Sequence, residues 1–168
     1  MIADDIVARV QGVPRPIVLI DGRSGSGKST LATRVAARLA AQLVRLDDIY
    51  PGWSGLDAAS RHVHDFVLDP VAPRWQRWDW TAQAPAEWHL LDPALPLVVE
   101  GCGALSRANL SRAALGVWLE LDEPTRRARA LARDTGDYAL HWEHWAAQEA
   151  AFIARESPQL LATLPAPT

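Results

Sequence analysis

Lysine is nearly absent from this chain: of seventeen basic Lys and Arg residues sixteen are arginine, and Lys28 stands alone. Cysteine is as scarce. With Cys102 the only one, an internal disulfide framework is excluded and a reducing compartment is expected. No apolar run approaches the length of a membrane span, and the acidic start Met1–Val7 lacks the cationic opening of a secretory leader. A cytoplasmic chain with no membrane partner is therefore expected. Surplus basic charge is missing too, since the formal net charge is −3, and this leaves a nucleic acid no bulk field to bind. What remains is 168 residues, 49% hydrophobic and 22% charged, which suits a single domain over 1–168 with a full core.

The lone lysine sits in the stretch around which the rest is organised. Ile17–Ile20 is short and apolar throughout, the pattern of a strand buried on both faces. It runs into Asp21-Gly22-Arg23-Ser24-Gly25-Ser26-Gly27-Lys28-Ser29-Thr30, where a glycine, four residues and then Gly27-Lys28-Ser29 give the phosphate-loop spacing between a strand and a helix. Glycines let backbone N–H groups close around an anion because no Cβ blocks the approach. The following helix aims its positive end at the same anion. Lys28 is expected to reach the outer phosphates of ATP, and the Ser29 hydroxyl to ligate Mg²⁺. A compact ammonium is suited to such a cradle in a way that a guanidinium is not. Its confinement to this position in an arginine-rich chain argues against a chance glycine turn. Gly22 to Thr30 are the expected nucleotide contacts, namely Gly22, Arg23, Ser24, Gly25, Ser26, Gly27, Lys28, Ser29 and Thr30.

Before this stretch, Ile2, Ile6 and Val10 mark a short helix that ends at Gly12, Pro14 and Pro16. After it, Leu31, Val35 and Leu39 form one stripe of a helix, and an apolar strand, Leu43–Leu46, stops at Asp47-Asp48. Ser54 is placed to cap a helix to Val67 with Leu56, Ala59, Val63 and Phe66 on one face. From Asp69 to Pro96 periodicity fails. A third strand, Leu97–Glu100, closes on Gly101, helical residues run to Leu115, and a strand follows over Val117–Leu121. Asp122 caps a helix to Arg133, and a last helix covers about Asp137 to Arg155. The proline-rich tail, 157–168, is expected to be loose. Strands alternating with helices predict an α/β fold, a parallel sheet flanked by helices in three layers. In such sheets the site lies beyond the carboxyl ends of the strands, which makes the glycine loop, Asp47-Asp48 and Glu100 neighbours.

Phosphoryl transfer asks for positioning, metal and a group to orient the attacking hydroxyl. Asp47 is placed to accept that proton, and Glu100 to hold Mg²⁺ directly or through water. Arg126, Arg129 and Arg133 form a basic stripe at helical spacing. Arg126 suits a solvated face paired with Glu123, and Arg133, beside Gly136, suits charge stabilisation in transfer. Arg74-Trp75-Gln76-Arg77-Trp78-Asp79-Trp80 suits either an acceptor pocket using Arg74, Arg77 and Trp78 or a tryptophan strap on the sheet edge. Trp142, Trp145 and Glu149 share a helical face that favours packing.

These residues resemble the uridine kinase-like branch of P-loop nucleoside kinases over most of 16–134. Asp21 to Thr30 resembles its phosphate loop, and Leu46-Asp47-Asp48-Ile49-Tyr50 the motif whose first aspartate is the base and in which an aromatic follows. Val98-Val99-Glu100-Gly101 is similar to its metal-associated strand, with Asp47 adding to Ser29 and Glu100 at the metal. Arg126 to Asp134 is similar to its lid helix. The resemblance implies a three-layer P-loop kinase fold, catalytic roles for Lys28, Asp47 and Arg133, a short lid about 126–137, and ATP with Mg²⁺. It also implies a small acceptor alcohol, such as a nucleoside, touching Asp48 and Tyr50. The span from Tyr50 to Leu97 is short for the family and carries no hairpin pattern. The alternative is a nucleotide-binding or NTP-hydrolysing protein without an acceptor, although the base-specifying N-K-x-D of switch NTPases does not occur.

Overall fold

The computed structural model describes residues 2–133 and 137–167, and the side chains there except at 133, 137 and 164–167. In chain order the elements are α1 (Ile2–Arg9), β1 (Ile17–Gly22), α2 (Lys28–Leu39), β2 (Gln42–Arg45), α3 (Leu56–His62), β3 (Arg74–Asp79), β4 (Ala84–Leu90) and β5 (Leu97–Glu100). They continue with α4 (Arg107–Leu110), β6 (Leu115–Glu120), α5 (Glu123–Arg133), α6 (Asp137–Glu156), α7 (Pro158–Leu161) and β7 (Leu164–Pro167). The main sheet is parallel with strand order β2-β5-β1-β6-β7.

β1 is buried at all six positions because both of its faces meet a core. Side chains alternate across a strand. Ile17 and Leu19 therefore point to the layer of α3 and α6, with Leu56, Ala59, Trp145 and Phe152, while Val18 and Ile20 point to α1 and α2, with Ile6, Leu31 and Val35. This is the three-layer α/β arrangement expected of the sequence. Leu19 is fully buried at the centre, and truncating it to alanine should cost about 2–5 kcal/mol. No helix among the described residues is long and apolar enough to cross a membrane.

The strand register sets the site. Glu100 pairs with Ile20 on one side and Arg45 on the other, so β1, β2 and β5 end at one level. The loop after β1, the turn Leu46–Asp48 after β2 and Gly101 after β5 all open at that edge. The crossover after β1 runs to β2 on one side and the crossover after β5 runs past β1 to β6 on the other, so a ligand crevice is expected at that point.

Four local expectations are corrected. Residues 69–96 hold a two-stranded antiparallel hairpin, β3 with β4, whose register shifts between Gln76 and Trp78. The hairpin has no fully buried face, and the bulge interrupts its alternation, so no period of two is written in the sequence. The tail is ordered into α7 and β7, and β7 adds to β6 as an edge strand, the position where proline is tolerated. Gly55, not Ser54, caps α3, and Ser54 Oγ instead meets His144 Nε2 at 2.9 Å. That helix then widens into a π-helical turn, Val63–Val67, which rotates Phe66 out of full burial.

Candidate active site

The glycine loop ends at Gly27, which precedes α2 in a left-handed conformation (φ 95°) and offers no side-chain cap to the first helical amides. Those amides are left for an anion, as a helix N-terminus requires of its partners. Gly25 has φ +82°, and a Cβ there would lie 2.1 Å from the Arg126 carbonyl oxygen, so only glycine lets α5 close on the loop. Arg126 is buried, contrary to the solvated position expected of it. Its guanidinium donates to the Leu121 carbonyl (3.0 Å) and the Ser24 carbonyl (3.1 Å). The physical reason is local: α5 starts against the loop, and the two carbonyls at its base need a fork of donors.

Beneath the loop lies Asp21, 1% exposed. Its carboxylate accepts N–H groups from Gly22 (2.6 Å), Leu105 (2.8 Å) and Gly103 (3.1 Å), tying the loop after β1 to the loop after β5. Burial pushes its pKa up to about 6, against the pull of those N–H groups and of Lys28. From the other side comes α6. Glu149 accepts the Ser24 N–H at 2.7 Å and Arg23 Nε at 3.0 Å, and Tyr138 donates its hydroxyl to Ser24 Oγ. Lys28 is also buried, with Nζ 3.1 Å from the Arg23 carbonyl oxygen. Burial alone would lower its pKa, but the potential of Glu100, Glu149 and Asp21 outweighs this and raises it, so the ammonium stays charged.

Glu100, at the end of β5, is 3% exposed. Its Oε1 has no hydrogen-bond partner, and Arg45 Nε stands off at 3.7 Å. Burial raises its pKa, Asp47 adds to the rise, and Lys28, the Ser29 hydroxyl and Arg45 oppose it. An orphaned buried carboxylate oxygen next to a phosphate-loop serine fits Mg²⁺, which takes one or two protein oxygens and leaves the rest of its shell to water and phosphate. Among the described residues no cluster of three or more His, Cys, Asp or Glu could hold a metal unaided. Ser29, Glu100 and Asp47 face one cavity of about 420 Å³, together with Ser24, Gly25, Gly27 and Lys28.

The far wall of that cavity is aromatic: Tyr50, Trp53, Trp80, Tyr138 and Trp145. Trp53 is at its centre, with ring centroids 5.2 Å from Trp80, 5.4 Å from Tyr138 and 6.4 Å from Trp145. Tyr50 meets Trp145 edge-on at 4.6 Å, and its hydroxyl donates to the Cys102 carbonyl at 2.8 Å. Trp80 Nε1 donates to the Asp47 carbonyl at 3.0 Å, so the hairpin tip is pinned to the turn that carries Asp47.

Of the residues expected from sequence, the fold therefore brings Ser24, Gly25, Gly27, Lys28, Ser29, Asp47, Tyr50 and Glu100 to one cavity. Gly22, Arg23, Ser26, Thr30 and Asp48 lie around it without lining it. Arg74, Arg77 and Trp78 do not join it. Arg74 sits over the Phe66 and Trp88 rings, 5.1 and 5.4 Å from their centroids, while Arg77 forks onto Glu87 at 2.7 and 3.1 Å. Arg77 and Trp78 border a separate cleft of about 160 Å³. The Arg133 side chain and Gly136 lie outside the described part, and with them the end of the expected lid. Trp53, Tyr138 and Glu149 are the cavity and loop partners that residue patterns did not single out for function. One signal was present: Glu149 is an acid on a face shared with Trp142 and Trp145, and a buried acid needs a partner.

No protein-family model matches the chain. A tRNA dimethylallyltransferase of Rhodospirillum centenum is 32% identical over 139 residues, covering 76% of this chain but only 44% of that enzyme. The chain thus spans less than half the length of this curated relative. Two solved structures are similar over 98% of the chain. One is a candidate uridine kinase from Bacillus stearothermophilus, with TM-score 0.66 at 16% identity over 94% of that chain. The other is a candidate fructose transport system kinase from Silicibacter sp. TM1040, with TM-score 0.55 at 19% identity over 95% of that chain. The fold is that of the P-loop kinases, and the resemblance to uridine kinase-like proteins drawn from the sequence is borne out at the level of the fold.

Proposed function

We propose that this P-loop protein transfers the γ-phosphoryl group of ATP to a hydroxyl of a small acceptor bound against the aromatic wall. The observation that carries the reading is the shared cavity: Lys28, Ser29 and Glu100 line it together with aromatic rings, and Asp47 joins the two sets, its charge acting on Glu100 and its carbonyl accepting from Trp80. A plain nucleotide switch has no use for an acid standing free at the seam with a second compartment.

The residues divide the work as follows. The uncapped amides at the start of α2 and the Lys28 ammonium hold the phosphates and balance charge that builds up in transfer. Ser29, Glu100 and Asp47 would hold Mg²⁺, which would supply further charge neutralisation at the phosphates. Asp47 orients the acceptor hydroxyl and takes its proton as the acceptor oxygen bonds to the γ-phosphorus. The bond from that phosphorus to the bridging oxygen breaks, and its electron pair leaves with ADP. Asp21 and Glu149 touch no substrate; they hold the loop in shape. The carboxyl end of α5, with Arg133, is assigned the closing role.

The test is ADP release from Mg·ATP across a panel of small alcohols, sugars and nucleosides, with wild type and Asp47→Asn in parallel. Acceptor-dependent release that falls with Asp47→Asn is expected. Release that is independent of every acceptor and unchanged in the variant would move the assignment to an NTP-hydrolysing protein.

A further inference from the structure

We propose that the acceptor is a small cationic alcohol, one bearing an amine or quaternary ammonium group, whose charged head is held by the rings of Tyr50, Trp53, Trp80, Tyr138 and Trp145. The proposal rests on the phosphotransfer reading for the fate of the hydroxyl, but recognition of the cation stands on the cavity itself.

Three observations carry it. First, no arginine with a described side chain lines the cavity, although the chain has sixteen arginines to place. An acceptor bearing a carboxylate or phosphate would require one. Second, three of the five wall residues have their polar atoms engaged within the protein: the Tyr50 hydroxyl on Cys102, Trp80 Nε1 on the Asp47 carbonyl, and the Tyr138 hydroxyl on Ser24. These three present ring rather than donor groups, which suits a cation better than a sugar or the edge of a base. Third, among the described side chains that line the cavity two are acidic, Asp47 and Glu100, and one is basic, Lys28, which is set at the phosphate end; Glu149, behind the loop, is paired with Arg23. Ring faces combined with carboxylates attract an ammonium, most strongly where water is excluded. The cavity is divided accordingly, with anion binding at the glycine loop and cation binding at the aromatic wall. Asp47 sits where the hydroxyl of a short amino alcohol would emerge between them.

The proposal is tested by titrating the protein with choline, with tetramethylammonium and with the neutral analogue of choline in which carbon replaces the nitrogen, following tryptophan fluorescence and calorimetry. Both cations should bind about tenfold or more tighter than the neutral analogue, the ratio set by a desolvated cation–π contact. Trp53→Leu should remove that preference, and Trp80→Leu serves if the first variant fails to fold. Equal affinity for the neutral analogue, or saturable binding of a nucleoside with none of either cation, would overturn the proposal while leaving a kinase in place. Tight cation binding with no acceptor-dependent ADP release would instead remove the kinase reading and leave the cation site standing.

Discussion

The two ends of the cavity are held by different physics. At the phosphate end the shape is made by backbone: N–H groups closing on Asp21, the Ser24 amide on Glu149, and the Ser24 carbonyl on Arg126. At the aromatic end it is made by rings leaning on rings, Trp53 against Trp80, Tyr138 and the stacked His141 at 4.4 Å. Directional hydrogen bonds in a buried setting fix atoms to a few tenths of an ångström and penalise any lost partner. Ring contacts fix an area and tolerate sliding. The glycine-loop end is therefore rigid and the aromatic end adaptable, which is what the proposed transfer asks of a phosphate site and of an acceptor site. Glu149 and Tyr138 join them, because both belong to α6 and both bond to Ser24.

The largest effect should come from breaking the phosphate end at its one charge. Lys28→Ala is expected to abolish detectable Mg·ATP binding by calorimetry while the fold persists. Lys28→Arg should rescue little, because a planar guanidinium cannot occupy a slot shaped for an ammonium among Asp21, Glu100 and Glu149. ATP affinity equal to wild type in the alanine variant would show that the backbone cradle suffices alone.

The seam between the ends is tested at Asp47. Asp47→Asn should slow transfer by about 10²–10⁴, the usual worth of a general base, with ATP affinity changed far less. Asp48→Asn should be milder, since Asp48 does not line the cavity. If steady-state kinetics find Asp48 the more damaging position, the base has been assigned one residue too early.

The rigidity of the phosphate end can be read as a pH dependence. Asp21 titrates near 6 in the fold against an ordinary 3.8, so the native state holds its proton more tightly than the unfolded chain does. Stability from this group is thus fully present below about pH 4 and is lost as pH rises toward 6. The size is on the order of 3 kcal/mol, about two pH units at roughly 1.4 kcal/mol each. Asp21→Asn should flatten the dependence of unfolding free energy on pH over that interval. An unchanged slope in denaturant titrations would mean that the three N–H donors fully offset burial.

The same contrast decides what could be read from the chain. Phosphate-end residues are contiguous, Asp21 to Thr30, and each type there is dictated by local chemistry, so the loop, the strand ends and the meeting of Lys28, Ser29, Asp47 and Glu100 at one cavity were legible. The aromatic wall is gathered from Tyr50, Trp53, Trp80, Tyr138 and Trp145, which come from three separate segments. A tryptophan facing a ligand has the same helical spacing as one facing a core, and Trp145 does both. Arg126 was misread for a related reason: a stripe of arginines looks solvated until the carbonyls of another loop arrive beneath it. The hairpin was hidden by its bulge, and β7 by prolines that an edge strand accepts.

The smallest effect should lie just beyond the aromatic end, on the outer surface of the hairpin. Arg77 stands between two tryptophans in sequence, which suggests a substrate clamp, yet its guanidinium turns outward to Glu87 and Asp79. The fork holds the Glu87 carboxyl at about 2, below the usual 4.5, and both partners are more than a third exposed. Water and salt screen such a pair, so its contribution to stability is small. Arg77→Ala should lower the melting temperature only slightly, and should leave the KM values for ATP and acceptor in their wild-type ratio. Because Glu87 is depressed in the fold, whatever stability the pair supplies is present above about pH 4.5 and fades as pH falls toward 2. That is the opposite sense to Asp21, so the two variants separate on one pH series. A selective rise in acceptor KM for Arg77→Ala would show that the hairpin swings inward when acceptor binds, and that the adaptable end of the cavity extends to residues which face solvent without it.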